Sequence, residues 1–195
     1  MVLGRGASEP SRRFTSIVCS ARGWEEINFG VDGSPVTGRD SEGFLTNYDS
    51  GVARVPDVIF AQPNVVIVLH GETDFVNSVP LGDAEEFQPG TFRSEYDSMV
   101  RGLTSALGDE RIVLSTLPWH EDGPQANEAI VALCEYNDVI RSVASRYSLR
   151  LLEPDKNAST TPVNIATLIS HSIYLNDEGH ERLAAFYIHE LANIH

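Results

Sequence analysis

Side chains able to move a proton recur in short clusters along this chain: His70, Glu72 and Asp74 in HGETDF, His120, Glu121 and Asp122 in PWHEDG, and His171 and Tyr174 in ISHSIY. A histidine set among carboxylates suits general acid/base work, in which the imidazole exchanges the proton and a carboxylate orients it. Asp177 and His180 in LNDEGH form a second such pair, and Ser8 in GAS is a candidate nucleophile. The Gly-x-Ser signal at Ser8 is weak, because a nucleophile elbow needs a preceding strand and MVLGRG offers little of one. Plainer readings stand beside these. Asp74 can cap a turn, His70 can be a core histidine bonded to backbone, Trp119 and His120 can wall a pocket or sit in a solvated turn, and His180 can be a structural helix residue. His70, Glu72, His120 and His171 could also ligate zinc or iron, but no HxxxH or comparable spacing fixes a geometry, so no metal and no other cofactor is expected.

Positioning such groups requires a scaffold, and the apolar pattern supplies one. Asn64 to Leu69, Arg111 to Leu117 and Leu149 to Leu152 are short, rich in β-branched residues and bounded by turn signals, which predicts buried parallel strands; Glu26 to Phe29 is a weaker fourth. Between them, Arg12 to Ala21, Phe92 to Leu107, Gln125 to Tyr147 and Asn176 to Asn193 carry apolar residues three or four apart and predict helices. Alternating strand and helix gives an α/β class with a mostly parallel sheet. In such a sheet ligands meet the loops beyond the carboxyl ends of the strands, where HGETDF, PWHEDG and ISHSIY are expected to gather.

The 195 residues fit a single domain spanning 1–195. Twenty-eight acidic against fourteen basic residues leave a net charge of −14, which excludes nucleic acid and an anionic membrane as partners and leaves a small-molecule substrate. No apolar run is long enough to span a membrane and no signal peptide is evident, so a cytoplasmic location is expected. Cys19 and Cys134 lie in helix-like stretches without CxxC spacing and read as buried free thiols.

Taken in order, GASEPSRRF, NFGVDGS, VVIVLHGETDF, the EYN of the long helix and IYLNDEGHERLA resemble the SGNH (GDSL-type) hydrolase superfamily of esterases and lipases, from Gly4 to about Leu191. The resemblance implies a flavodoxin-like three-layer α/β/α sandwich. It also implies a serine nucleophile in a Gly-Asp-Ser block, an oxyanion hole from a Gly and a Gly-x-Asn-Asp, and an Asp-x-x-His base. Carried over residue by residue, the serine falls immediately before Met1, and only Val2 and Leu3 remain of a first strand that is truncated or absent. A strand from a second copy is one way to complete the sheet, making a homo-oligomer conceivable. Gly33 and Gly71 match the oxyanion glycines, whereas Thr73 stands where the family has asparagine. A hydroxyl is a shorter donor than an amide, and one oxyanion donor is worth roughly 3 to 4 kcal/mol in measured cases.

LNDEGH fixes the register of the last block and puts His171 at the aspartate position and Tyr174 at the histidine position. Asn176 or Asp177 then caps a helix, with His180 one turn inside it. The expectation is an SGNH-fold protein repurposed for non-hydrolytic acid/base chemistry on a small carbonyl compound: elimination, isomerisation, cyclisation or addition. His171 would act as acid or base, Tyr174 as donor to a carbonyl or enolate oxygen, and Asp74 or Glu72 as orienting carboxylate. Gly33, Gly71, Thr73, Trp119 and His120 would line the pocket. The alternatives are an esterase using Ser8 or an upstream serine with Asp177 and His180, and a pseudoenzyme that only binds its ligand.

Overall fold

The computed structural model describes residues 2–119, 131–157, 164–171 and 174–194, with the side chain of residue 171 outside that description. In chain order its elements are α1 (Phe14–Arg22), α2 (Val55–Phe60), β1 (Val66–Val68), α3 (Glu72–Val76), α4 (Phe92–Leu107), β2 (Ile112–Ser115) and α5 (Leu133–Arg146). They continue with β3 (Arg150–Leu152), α6 (Pro154–Asn157), α7 (Ile165–Leu168), β4 (Ile169–His171), β5 (Tyr174–Leu175) and α8 (Asp177–Glu190). The chain forms two compact units, one from residues 33–117 and 126–151, the other from residues 1–32, 118–125 and 152–195.

The unit built on residues 33–117 and 126–151 holds the sheet, ordered β1-β2-β3. β1 and β2 run parallel, with Val66, Ile67 and Val68 opposite Ile112, Val113 and Leu114. All four residues of the central β2 are buried, which is why its Ile112, Val113 and Leu114 form an unbroken apolar run and do not alternate with polar residues. Phe92, Tyr96, Met99, Val100, Leu103 and Leu107 recur every three or four residues along α4 and turn one stripe into the core. The helix stops at Gly108, whose φ of 90° only glycine adopts freely and whose N–H still reaches the Thr104 carbonyl at 3.0 Å. Leu133, Tyr136, Val139, Ile140 and Val143 give α5 the matching stripe. At its start the Glu135 carboxylate accepts the Ala132 N–H at 2.9 Å.

In the other unit α1 packs on α8, and Phe14, Val18, Leu183, Ala184 and Tyr187 are buried, with the Phe14 and Tyr187 rings 5.2 Å apart. β4 and β5 pair antiparallel, Ile169 facing Leu175 and His171 facing Tyr174.

Three sequence expectations are corrected. Residues 26–29 form no strand: the Asn28 side chain takes over local bonding, donating to the Val2 carbonyl at 2.8 Å and accepting from Gly30 N–H at 2.8 Å. Cys134 is exposed, and only Cys19 is partly buried; both thiols are free, and burial raises the pKa of Cys19. α2 and α3 arise where no helix was expected, because each is too short to display a full apolar period. Among the described residues no helix is long and apolar enough to cross a membrane.

Candidate active site

β1 delivers the chain to His70 and Gly71. Gly71 sits at φ 127°, where a side chain is strained, and an added Cβ would meet the Phe92 ring at 2.8 Å. That sharp turn starts α3 and places Glu72 and Thr73, both partly buried, in its first turn. Gly33 also has a positive φ, 67°, but is open to solvent with nothing near its missing Cβ.

Asp74 is fully buried. Its Oδ2 accepts the Val36 N–H at 2.7 Å, and its Oδ1 accepts the Thr37 N–H at 3.0 Å together with the Thr37 hydroxyl. Burial raises its pKa against the pull of those donors, Thr37 hydroxyl first. Sealed from solvent and bonded to residues 36 and 37, Asp74 is a clamp between two loops. It also accepts its own backbone N–H in the first turn of α3, and none of these donors is a histidine.

His70 keeps part of its surface accessible, yet burial first and the Arg54 charge second push its pKa down to about 3, so the imidazole is neutral. Arg54 Nη2 lies 3.4 Å from His70 Nε2 and 2.9 Å from Ser34 Oγ. After β2, Leu117 is held on both sides by Asn137 of α5, whose Oδ1 accepts the Leu117 N–H at 2.7 Å and whose Nδ2 donates to its carbonyl at 3.0 Å. Arg54, Ser34 and Asn137 were not anticipated as site residues. Asn137 had one signal, its place in EYN, while Arg54 and Ser34 carried none in local spacing.

In the other unit LNDEGH turns out to build the fold. Asn176 caps α8, its Oδ1 accepting the Gly179 N–H at 3.0 Å. Gly179 is required because the Leu168 carbonyl occupies the space a Cβ would need. Asp177 accepts from both the N–H and the hydroxyl of Ser8, at 2.7 and 2.6 Å, and these bonds, the hydroxyl's first, hold its pKa low. His180 is fully buried, and its Nδ1 accepts the Phe14 N–H at 3.3 Å, one of the orphan donors opening α1. Burial depresses its pKa, opposed by the Arg5 backbone carbonyl, although Nε2 makes no hydrogen bond of standard geometry.

Ser8, Asp177 and His180 thus lie near one another, with the Ser8 hydroxyl turned to Asp177 and the His180 Nδ1 turned to Phe14. A nucleophilic serine must give its proton to an imidazole. Here the Ser8 hydroxyl donates straight to the carboxylate, and the imidazole is a sealed acceptor for a helix terminus.

The remaining candidates fall as follows. Tyr174, on β5, is partly buried, and its carbonyl accepts the Ser170 hydroxyl at 3.3 Å. His171 faces it across the β4–β5 pair in backbone register. Trp119 donates its indole N–H to the Asp155 carbonyl at 2.8 Å. His120, with Glu121 and Asp122, lies outside the described residues, so it enters no geometry. Among the described residues no three His, Cys, Asp or Glu side chains converge as a metal site would require.

Residues 3–182 match the sequence profile of the GDSL-like Lipase/Acylhydrolase family. The chain belongs to that family. Its mixed α/β fold with parallel pairing is shared by several solved structures. One is a protein from Lactobacillus plantarum, 18% identical, with a TM-score of 0.80 over 94% of this chain and 88% of that one. Another is the lipase/acylhydrolase from Enterococcus faecalis, 21% identical, with a TM-score of 0.62 over 91% and 84%. A third is the acetyl xylan esterase AlAXEase, 18% identical, with a TM-score of 0.64 over 90% and 89%. At these identities the likeness is one of fold. No curated protein matches the chain.

Proposed function

We propose that this GDSL-family chain acts on a small, carbonyl-bearing organic molecule by proton transfer, without a serine acyl-enzyme. His171 takes or returns the proton on the carbon next to the carbonyl, and the Tyr174 hydroxyl donates to the oxygen on which enolate charge develops. The reaction classes that fit are elimination, isomerisation, cyclisation and addition.

One observation carries this reading. His180 is buried and accepts the Phe14 N–H, which supports reading Asp177-Glu178-Gly179-His180 as a fold-building stretch and not as the working Asp-x-x-His. On the register read from LNDEGH, His171 and Tyr174 fall at the family's base block, and their backbones are partners in the β4–β5 pair, which supports assigning them together. Both are proton-transfer groups, which an idle relic of a triad would not need.

The test is exchange chemistry. A panel of ketones, 2-oxo acids and esters is incubated with the protein in D2O, and deuterium entry beside the carbonyl is read by proton NMR. Incorporation that falls at least tenfold in both His171→Ala and Tyr174→Phe supports the assignment; unchanged incorporation in both ends it.

The family match and the esterase and lipase names of its neighbours favour a second reading, hydrolysis of an acyl ester through a serine. An alkyl fluorophosphonate separates the two. A stoichiometric serine adduct on the folded protein overturns the non-hydrolytic reading, and its absence overturns hydrolysis through any serine of residues 1–195.

A further inference from the structure

The turn carrying Gly33 and the turn carrying Gly71 are joined by a side chain that belongs to neither. Arg54 stands at the start of α2. Its Nη2 donates to Ser34 Oγ at 2.9 Å, immediately after Gly33, and approaches His70 Nε2 at 3.4 Å, immediately before Gly71. Its Nε reaches back to the Ser50 carbonyl at 3.3 Å, which steadies the guanidinium. Ser34 is buried, and its hydroxyl passes its own proton to the Asp49 carbonyl at 2.6 Å, leaving the oxygen's lone pair to Arg54. Gly51 makes the approach sterically possible: a Cβ there would lie 2.8 Å from His70 Cδ2 and 3.0 Å from Nε2.

The chemistry at His70 follows from the donor. A guanidinium has no lone pair to offer, so His70 Nε2 must accept and Nδ1 carries the proton. Arg54 thereby fixes the position of the ring and its tautomer together. The neighbouring Asp74 clamp on Val36 and Thr37 ties the same two stretches a few residues further along. Residues 33–37 and 70–74 are therefore fastened at two points, one by a guanidinium and one by a carboxyl group.

We propose that Arg54 is a positioning residue: its single Nη2 sets the Gly33 turn and the Gly71 turn in one register and holds His70 as the Nδ1–H tautomer. Preorganised donors stabilise developing oxyanion charge because no reorientation is needed during reaction. This rests on the family resemblance that makes Gly33 and Gly71 oxyanion glycines, independently of His171 and Tyr174, and it assigns their alignment to a residue outside either motif.

The test uses the full chain with ¹⁵N NMR, comparing wild type, Arg54→Gln and Arg54→Lys. In wild type the His70 ring shows a protonated Nδ1 and an unprotonated Nε2 at neutral pH. Arg54→Gln is expected to speed amide exchange about tenfold in both turns, the loss of one hydrogen bond at each, and to mix the His70 tautomers. Arg54→Lys, which keeps a cationic donor, is expected to restore the tautomer and most of the protection. The proposal is overturned if only one turn responds, if neither does, or if lysine fails to rescue the tautomer in a folded variant. These signals need no substrate. Failure of the proton-transfer reading would appear in the deuterium assay and leave them unmoved, whereas failure here would leave His171 and Tyr174 untouched.

Discussion

Acid should destabilise this protein through His70, and the size of the effect follows from its surroundings. The folded ring titrates near 3 because burial and the Arg54 charge oppose its protonation, against an ordinary value of 6.5. A histidine with a depressed folded pKa adds stability that is complete above its unfolded pKa and is lost as pH falls toward the folded one, since only the unfolded chain takes up the proton. The window therefore runs from 6.5 down to about 3. Between about pH 7.5 and about pH 5.5 the linkage removes about 1.3 kcal/mol, close to tenfold in the unfolding equilibrium. Over that interval the unfolded value dominates, so the accessible edge of the ring scarcely alters the result. The lower limit also stays clear of the sequence pI of 4.7.

Other carboxylates and histidines titrate too, so the quantity to measure is a difference. Gln at position 70 keeps an acceptor for Arg54 and cannot be protonated. Urea unfolding of wild type and His70→Gln at both pH values should show the stability difference moving against wild type by about 1.3 kcal/mol on acidification, about 0.5 M in midpoint. A difference constant to within about 0.4 kcal/mol would mean that His70 titrates as an ordinary histidine, and the argument from Arg54 and burial would fail.

Further outcomes are expected. Asp74→Ala should cost about 2 to 5 kcal/mol in urea unfolding, because it strands the Val36 and Thr37 N–H groups in a sealed position. Gly71→Ala should destabilise by about 2 kcal/mol or more and Gly33→Ala by about 1 kcal/mol, since both lose a positive φ but only the first collides with Phe92. His180→Ala should cost about 2 to 4 kcal/mol through a cavity and an unpaired Phe14 N–H, seen as a lower thermal midpoint. Ser8→Ala should leave turnover of any substrate unchanged, because the Ser8 hydroxyl serves Asp177; a loss of activity would revive Ser8 as nucleophile.

Much of the fold was legible in local pattern. The α4 helix begins and ends where its periodicity places it, β1 to β3 lie inside the three apolar runs, and LNDEGH specified the Asn176 cap. Those features depend on residues within one or two turns of each other, so a linear sequence displays them. Residues 26–29 show the limit: their composition permits a strand, but a strand exists only with a ladder partner, and Asn28 satisfies the backbone instead.

The sequence by itself determined the α/β class, the family and the types of proton-transfer side chain present. Only the tertiary structure decided what several of those side chains do. Asp74 reads by motif as an orienting carboxylate, and only chain closure gives its oxygens the N–H groups of residues 36 and 37. His180 reads by spacing as a possible base, and only chain closure makes it the acceptor for a helix start 166 positions away. Arg54 had no motif and became the junction of two turns. The physical reason is common to all three. Hydrogen-bond partners brought together by chain closure leave no periodic trace, and whether a titratable group faces solvent or another donor is set by that closure alone.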